Sequence, residues 1–342
     1  MGMFDLFGLG DSSQDTVEEV VQEATPGGTV NFKFERFEGN PIISPDQNIS
    51  WMAYATYSPA AIYLDGYTHL LFRAQGYDKV STFGYAMSKD GYHIDELVRE
   101  PVYVPREEFE RPTISGWNSG CEDPRITKID DTLYVTYTAY DGTNPPRVAL
   151  TSIKESDFLA RKWNWSQAKL ISPPGVDDKD ACIVKMSKGD GYIAFHRLGN
   201  AMWMDKLKNL EFPDVKYLSG EIIAQARIDS WDNVKIGIAA PPLFTPHGWV
   251  LLYHAVSNPG FAYKIGAMLL DSSDPKKIVA RSSQPLLEPE MLYETQGQVQ
   301  NVVFGCGAVV RENTIFLYYG GGDSVVCVAT IPLSNLLATL GI

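Results

Sequence analysis

The sequence has few cysteines and none of the spacings that mark a metal site or a disulfide framework. Its four cysteines, Cys121, Cys182, Cys306 and Cys327, are far apart and form no Cys-x-x-Cys pair. Neither a metal-spaced histidine pair, a P-loop nor a Ser-His-Asp set is recognisable. These absences argue against a metal-dependent hydrolase and predict buried free thiols, with no bound metal and no cofactor.

Basic residues are outnumbered, and long apolar runs are missing. The chain has 29 Lys and Arg against 42 Asp and Glu, giving a formal net charge of −13 without any basic cluster. Such a field repels nucleic acids and anionic membranes. No stretch approaches the ~18 apolar residues that cross a bilayer, and residues 1–5 lack the basic start of a signal peptide. We expect a cytoplasmic protein with no nucleic-acid or membrane partner. Assembly into a homo-oligomer is left open by the sequence.

Helical periodicity is confined to the beginning of the chain. Val17, Val20, Val21 and Ala24 follow the spacing of one helix face, and Pro26-Gly27-Gly28 ends it. Residues 1–30 are predicted to form an N-terminal arm with a short helix, either disordered or docked on the body or on a neighbouring subunit. The rest is rich in turn and strand formers, with 29 Gly, 21 Pro and 18 Tyr.

A strand–turn–strand pattern recurs from about residue 40 onward. Its turns lie near positions 66, 131, 190, 248 and 313, at spacings of 65, 59, 58 and 65 residues. A further apolar run follows most copies, so each repeat holds about four strands. Five such repeats predict an all-β protein in which residues 31–342 form a five-bladed β-propeller. A β-sandwich with accidental regularity is the alternative.

The second run of each repeat ends in a polar residue. These endings are Arg73, Tyr140, Arg197, His254 and Asp323. Equivalent positions of successive repeats meet around the axis of a propeller, so the five side chains should converge on one pocket. Taken singly, each is better explained by a salt bridge or a satisfied hydrogen bond.

The densest group of chemically useful residues is Gly120-Cys121-Glu122-Asp123-Pro124-Arg125. Two acids beside an arginine, held by a proline, provide a fixed carboxylate whose pKa depends on its neighbours. That combination suits acid catalysis. An Asp-Pro turn with a surface ion pair is the competing explanation.

These residues carry a resemblance to a known family. Residues 120–125, followed by Tyr134-Val135-Thr136-Tyr137-Thr138-Ala139-Tyr140, resemble the G-x-E-D-P-R…Y-x-T-Y-T-A-Y signature of glycoside hydrolase family 130. Supporting segments, such as Lys235-Ile236-Gly237 and Tyr318-Tyr319-Gly320-Gly321-Gly322-Asp323, run in order from about residue 40 to 330. The resemblance implies a five-bladed propeller enzyme that acts on β-mannosides, with an oligosaccharide and inorganic phosphate as substrates.

The resemblance also implies a role for each matched position. Asp123 is the implied general acid, and Lys179, Arg197 and His254 are the implied phosphate-binding residues. Contacts to the sugar fall to a larger set, namely Ser58, Arg73, Glu122, Arg125, Tyr140, Asp180 and Asp323.

The chain departs from the family pattern at three places. Cys182-Ile183-Val184-Lys185-Met186 stands where many members have L-F-P-E-K-I. Ser58 stands where members often have an asparagine before Pro-Ala, and Phe304-Gly305-Cys306-Gly307 replaces F-P-C-G. The first two departures affect residues expected to shape the site.

The expected reaction is inverting phosphorolysis of a β-mannoside, which gives α-mannose 1-phosphate and a shortened acceptor. Manno-oligosaccharides and mannosides of glucose or N-acetylglucosamine are the expected substrates. One carboxylic acid suffices because phosphate is already a nucleophile, whereas inverting hydrolysis requires a second carboxylate to activate water. The alternatives are an inverting β-mannosidase of the same family, in which acids replace the phosphate-binding residues, and a catalytically silent sugar-binding propeller.

Overall fold

The computed structural model describes residues 31–213 and 216–342, and β-strands dominate them. This confirms the predicted all-β class. The predicted N-terminal arm, with its helix, lies outside the described residues. The helices within those ranges are short: α1 (Glu155–Leu159), α2 (Leu292–Thr295), α3 (Leu333–Thr339), and 3-10 turns at Ser50–Met52 and Glu108–Glu110. None of the helices described is long and apolar enough to cross a membrane.

The strands follow one another along the chain as five antiparallel units. A short strand, β1 (Glu35–Arg36), precedes them. The first unit contains β2 (Ala55–Leu64), β3 (Tyr67–Gln75), β4 (Val80–Ser88) and β5 (Glu96–Leu97). The second contains β6 (Ser119–Ile129), β7 (Thr132–Tyr140), β8 (Arg147–Lys154) and β9 (Lys169–Leu170). The third contains β10 (Asp178–Lys185), β11 (Tyr192–Leu198), β12 (Ala201–Leu207) and β13 (Glu221–Ala224).

The last two units complete the series. The fourth contains β14 (Lys235–Ile238), β15 (Leu243–Thr245), β16 (Gly248–Ser257), β17 (Ala262–Leu270) and β18 (Ile278–Arg281). The fifth contains β19 (Val303–Arg311), β20 (Thr314–Gly321) and β21 (Val325–Pro332), with β1 at its edge. The first two units share one sheet, because β4 pairs with β6 in parallel at Val80–Ser119 and Ser81–Gly120.

Turn chemistry sets the hairpins of these units. Asp65 and Gly66 both have positive φ between β2 and β3, as do Glu312 and Asn313 between β19 and β20. Two successive positive φ angles give the tight turn whose twist matches that of the paired strands. Four of the five predicted turn positions lie between strands that pair with each other, and the fifth, Gly248, is the first residue of β16, next to its turn from β15.

Apolar clusters hold the units together in sequence. There are five buried clusters among the described residues. Four of them each join two units that follow one another along the chain, and the remaining cluster joins the last unit to the first. Pairs of residues that share a cluster are Phe83 with Tyr137, Val148 with Ile183, Met204 with Leu251, Leu269 with Leu317, and Phe72 with Val328. Packed apolar side chains therefore join each unit to two others.

The beginning and the end of the described chain meet in one sheet. Glu35 pairs with Thr330 and Arg36 pairs with Ala329, so β1 extends the sheet formed by β19, β20 and β21. The guanidinium of Arg36 also donates to the carboxylate of Glu294 in α2, at 2.8 and 3.0 Å. Helix α3 was not predicted, because its seven residues are too few to show a helical period. It is held by burial of Leu336 and Leu337 against the core.

Candidate active site

A polar cavity of about 190 Å³ draws side chains from all five units. The first unit contributes Tyr57, Ser58 and Arg73, and the second contributes Glu122 and Asp123. The third contributes Lys179, Asp180 and Arg197, and the fourth contributes Lys235, His254 and Tyr263. The remaining lining residues belong to the fifth unit or the segment entering it: Val302, Phe304 and Asp323.

A recurring β-bulge presents three of these side chains. The register of the first and second strands shifts in four units, between Tyr57 and Ala60, Glu122 and Arg125, Lys179 and Cys182, and Gly305 and Gly307. Ser58, Asp123 and Asp180 occupy the first three bulges with φ of 47°, 50° and 56°. Non-glycine residues rarely adopt this conformation, and it is held where the surrounding structure fixes it. The bulges turn these side chains toward the cavity.

Arg73 connects the two acids of the second unit. Its Nη2 donates to Glu122 Oε1 at 2.7 Å, its Nη1 donates to Asp123 Oδ1 at 3.0 Å, and its Nε donates to Ser81 Oγ at 2.9 Å. Burial alone would lower the pKa of this guanidinium, but the carboxylates of Glu122 and Asp123 hold it above its usual range. The pKa of Glu122 is raised, because burial outweighs the attraction of Arg73.

A set of amides supports this arrangement from the side. Asn118 Nδ2 donates to Glu122 Oε1 at 2.7 Å, and Asn118 Oδ1 accepts a bond from Gln75 Nε2 at 2.5 Å. Gln75 Nε2 also donates to Ser81 Oγ at 3.0 Å, and its Oε1 accepts the hydroxyl of Tyr57 at 3.1 Å. The positions of Arg73 and Glu122 are thus determined by more than their mutual attraction.

Ionisation of the Asp323 carboxyl is energetically unfavourable. Burial, together with the neighbouring negative charges of Asp123 and Glu122, raises the pKa of Asp323 to about 7, although Arg73 acts in the opposite direction. This carboxyl therefore changes charge near neutral pH. Its position on the same cavity wall as Arg73 suits contact with a sugar hydroxyl.

The other end of the cavity is rich in basic residues. Lys179, Arg197, Lys235 and His254 all line it. Burial, followed by the charge of Arg197, lowers the pKa of Lys235. Burial also lowers the pKa of His254 despite the nearby carboxylate of Asp180. A concentration of cations and neutral donors of this kind is suited to an anion.

Asp180 is the acid at this cationic end. Its Oδ2 accepts a bond from Arg197 Nε at 2.6 Å and lies 3.3 Å from His254 Nε2, while its Oδ1 lies 3.5 Å from Arg125 Nη2. Burial alone would raise the pKa of Asp180, but Arg197, His254 and Arg125 hold it well below its usual range. Asp180 is therefore an ionised carboxylate placed among cations.

Nine of the eleven predicted site residues line the cavity, and Arg125 and Tyr140 do not. Arg125 lies behind the wall, where it donates to the main-chain oxygens of Asp123 at 3.0 Å and Ile238 at 2.5 Å. The predicted convergence is wrong for Tyr140, which pairs with Gly120 at the far end of β7. Thr138, opposite Glu122, holds the position in register that Arg73 holds opposite Tyr57.

Several lining residues were not predicted from the sequence. Tyr57 faces the predicted Arg73 across β2 and β3, so the pairing partner of a predicted strand ending was a usable signal. Lys235 lies two residues before Gly237, which pairs with the predicted His254. Tyr263, Val302 and Phe304 had no comparable signal. Within the described ranges, no group of three or more His, Cys, Asp or Glu side chains is arranged to hold a metal ion.

Comparison with known proteins accounts for this combination of residues. A family model described as β-1,4-mannooligosaccharide phosphorylase matches residues 34–341. The chain belongs to glycoside hydrolase family 130. A 1,2-β-oligomannan phosphorylase of Thermoanaerobacter sp. (strain X514) is 34% identical over 316 residues, covering 89% of this chain and 99% of the relative. A β-1,2-mannobiose phosphorylase of the same organism is 34% identical over 319 residues, covering 88% and 97%.

A solved structure supports the same fold. The β-1,2-mannobiose phosphorylase of Listeria innocua, in complex with β-1,2-mannobiose, superposes with a TM-score of 0.74 at 23% identity, covering 90% of this chain and 99% of the other. This family 130 chain departs from the family pattern at residues 182–186, but the departure does not disrupt the site. Cys182, Ile183 and Val184 are buried in β10, and the bulge before them still presents Asp180 to the cavity.

Proposed function

We propose that this family 130 protein is an inverting β-mannoside phosphorylase that uses inorganic phosphate as co-substrate and no further cofactor. The observation that carries the proposal is a single cavity with the carboxyl of Asp123 on one wall and a cluster of cations at its other end. Mannosyl transfer to phosphate requires both features, an acid for the leaving oxygen and an anion site for the nucleophile.

The cations at one end of the cavity support the assignment of that end as the phosphate site. Arg197 provides a planar fork of donors, while Lys179 and Lys235 provide point charges that neutralise a dianion. Attraction at this place is needed because the net charge of the whole chain is −13 and the general field repels phosphate. Charge-assisted hydrogen bonds to phosphate oxygens are stronger than those between neutral groups.

We assign a second cavity as the binding site of the acceptor sugar. This cavity, of about 450 Å³, shares Tyr57, Arg73, Glu122 and Asp323 with the first. The basic residues of the cationic end, Lys179, Arg197, Lys235 and His254, do not line it. In an inverting displacement the nucleophile and the leaving group lie on opposite faces of the anomeric carbon. The mannosyl unit then lies at the shared wall, between phosphate and acceptor. Gln75, Lys79, Asn118 and Gln298 line the acceptor side.

The reaction follows from that arrangement. A phosphate oxygen forms a bond to the anomeric carbon as the glycosidic bond breaks, and the carboxyl of Asp123 supplies the proton taken up by the leaving oxygen. Arg73 fixes the orientation of this carboxyl through its contact with Asp123 Oδ1. We further propose that the linkage cleaved is β-1,2, because the two relatives of 34% identity are named for β-1,2-mannosides.

The alternative of a β-mannosidase is disfavoured by the same cavity. A hydrolase needs a carboxylate that activates water on the face opposite the leaving group. The acid on that side, Asp180, is bonded to Arg197 and lies close to His254, and its pKa is held well below its usual range, so it is a weak base for activating water. The catalytically silent alternative is disfavoured because nine predicted residues share one cavity.

Incubation with β-1,2-mannobiose, with and without phosphate, tests the proposal. A phosphorylase forms mannose 1-phosphate only when phosphate is present, whereas a mannosidase releases mannose in both reactions and a silent protein gives no product. Replacing Arg197 or His254 by alanine is expected to raise the KM for phosphate roughly ten- to a hundredfold, with a much smaller effect on the KM for sugar. Arg99→Ala, which removes an exposed cation elsewhere, is the matched control.

We also propose that residues 31–342 form one domain, a five-bladed β-propeller. The proposal is supported by the five antiparallel units and by the apolar clusters that link each unit to the next and the fifth to the first. A crystal structure tests it, because a propeller requires the first strands of all five units to surround a single axis.

A further inference from the structure

The carboxylate of Asp180 lies within the proposed anion site, and neutralisation of the surrounding cations does not by itself explain its presence there. Asp180 lines the cavity together with Lys179, Arg197 and Lys235, and only 1% of its surface is exposed. A negative group weakens the attraction that these cations exert on any anion. If anion binding were the sole requirement, a neutral residue would serve better at this position.

We propose that Asp180 accepts a hydrogen bond from the P–OH group of hydrogen phosphate and so selects phosphate over anions that carry no proton. The inference rests on the proposed function, since it takes the cationic end of the cavity as the phosphate site. An ionised carboxylate only accepts hydrogen bonds. It therefore attracts a ligand oxygen that bears a hydrogen and repels one that presents lone pairs.

The hydrogen bonds of Asp180 leave capacity for such a ligand. Oδ2 is occupied by Arg197 Nε at 2.6 Å and by His254 Nε2 at 3.3 Å. Among the residues that the structure describes, Oδ1 has a single long contact, 3.5 Å to Arg125 Nη2. A carboxylate has about four lone-pair positions on its two oxygens, so Oδ1 retains an acceptor position.

The surrounding charges fit a dianion held in this way. Lys179, Arg197 and Lys235 provide three positive charges, which balance the carboxylate of Asp180 and a dianion together. Glycine at position 237 keeps the space open, because a Cβ there would lie 2.5 Å from both Asp180 Oδ2 and His254 Nε2. The ion pair with Arg197 also keeps Asp180 charged when the anion enters.

Sulfate and fluorophosphate are the probes that separate these effects. At neutral pH both are tetrahedral dianions like hydrogen phosphate, but neither carries an O–H. In the wild-type enzyme we expect the inhibition constants of both probes to exceed the KM for phosphate by roughly ten- to a hundredfold, the value of a hydrogen bond to a charged group. Inhibition by either probe at the concentration where phosphate saturates would overturn the proposal without recourse to any variant.

A variant assigns the selection to Asp180. In Asp180→Asn, which offers an N–H donor to an unprotonated oxygen, the ratio of the sulfate inhibition constant to the phosphate KM should fall at least about tenfold. This ratio is unaffected by a general loosening of the site, which weakens both anions alike. Asp177→Asn is the matched control, because it removes an exposed carboxylate 3.4 Å from Lys179 that does not line the cavity.

The outcomes separate this inference from the proposed function. An unchanged ratio in Asp180→Asn, with phosphate dependence intact, would overturn the role of Asp180. Loss of selection in His254→Gln, with the ratio intact in Asp180→Asn, would overturn the role of Asp180 and assign the acceptor to Nδ1 of His254, which has no hydrogen-bond partner within residues 31–213 and 216–342. Absence of any phosphate requirement in the wild-type protein would overturn the phosphorylase assignment itself.

Discussion

Three acids around Arg73 differ in what their surroundings permit. Glu122 and Asp123 accept hydrogen bonds from its guanidinium. Asp323 lines the same cavity, and its carboxyl has a pKa raised to about 7. The bulge gives Asp123 a fixed direction, and the contact with Arg73 limits its rotation. Position therefore distinguishes the proposed acid from its neighbours more clearly than residue type does.

Replacing Asp123 by asparagine tests its proposed role as the general acid. The variant keeps the shape of the side chain but has no proton of comparable acidity to give to the leaving oxygen. We expect kcat on a β-mannoside to fall by roughly two to four orders of magnitude while the melting temperature changes little. Asp229→Asn, in an exposed turn, is the control. A loss below tenfold would remove Asp123 from the mechanism.

Asp323 should decrease stability at neutral pH. Its native pKa of about 7 exceeds the ordinary 3.8, so deprotonation favours the unfolded chain. The cost is absent below about pH 4, grows as pH rises toward 7 and is constant above it. Asp323→Asn is therefore expected to raise Tm by several degrees above about pH 7 and to leave it unchanged below about pH 4. Thermal melts across this range measure the effect, and a Tm gain equal at both pH values would contradict it.

At the scale of strands, the same backbone irregularity recurs with different sequences. The bulges contain Ser58-Pro59, Asp123-Pro124, Asp180-Ala181 and Cys306. No common pattern of residue types identifies them, so the sequence period predicted the hairpins but not the bulges. The resemblance to family 130 supplied Ser58 and Asp180 as residues, whereas their direction into the cavity follows from a register that only the fold determines.

The edge strand β1 provides a test of how the last sheet is completed. Arg36 is paired with the buried carboxylate of Glu294, so Arg36→Ala leaves that charge without its main partner. Removal of one partner from a buried pair costs about 3 to 5 kcal/mol. Lys33→Ala, which breaks an exposed pair with Glu288, should cost about 0 to 1 kcal/mol. Urea unfolding of both variants measures the difference, and equal costs would show that Glu294 does not depend on Arg36.

At the scale of the whole molecule, repetition determined what the sequence could reveal. Five turns at a regular spacing predicted the order of the hairpins, and four of the five polar strand endings line the cavity. Tyr140 does not line it, because a place in the cavity follows from the pairing of β7 with β6 and not from closeness to the strand end. The acceptor side was not predicted, because Asn118 and Gln298 lie in irregular segments without a sequence period.

The sizes of the two cavities predict a preference for longer substrates. In the proposed reaction the cavity of about 190 Å³ receives phosphate beside the mannosyl unit, while the acceptor cavity of about 450 Å³ is more than twice as large. We expect kcat/KM to rise from β-1,2-mannobiose to the trisaccharide. Gln298→Ala should reduce this rise roughly tenfold without changing the KM for phosphate, whereas exposed Gln167→Ala should not. A kcat/KM that declines with chain length would contradict the prediction.

The pairing of β1 with β21 has a consequence for the synthesis of the protein. β1 leaves the ribosome well before β21, so Arg36 and Ala329 pair only after β21 has been synthesised. Asp323, which also lines the cavity, emerges just before β21. Truncated translation products therefore lack the closing strand and part of the site together. We expect fragments that end before Asp323 to be inactive instead of partly active.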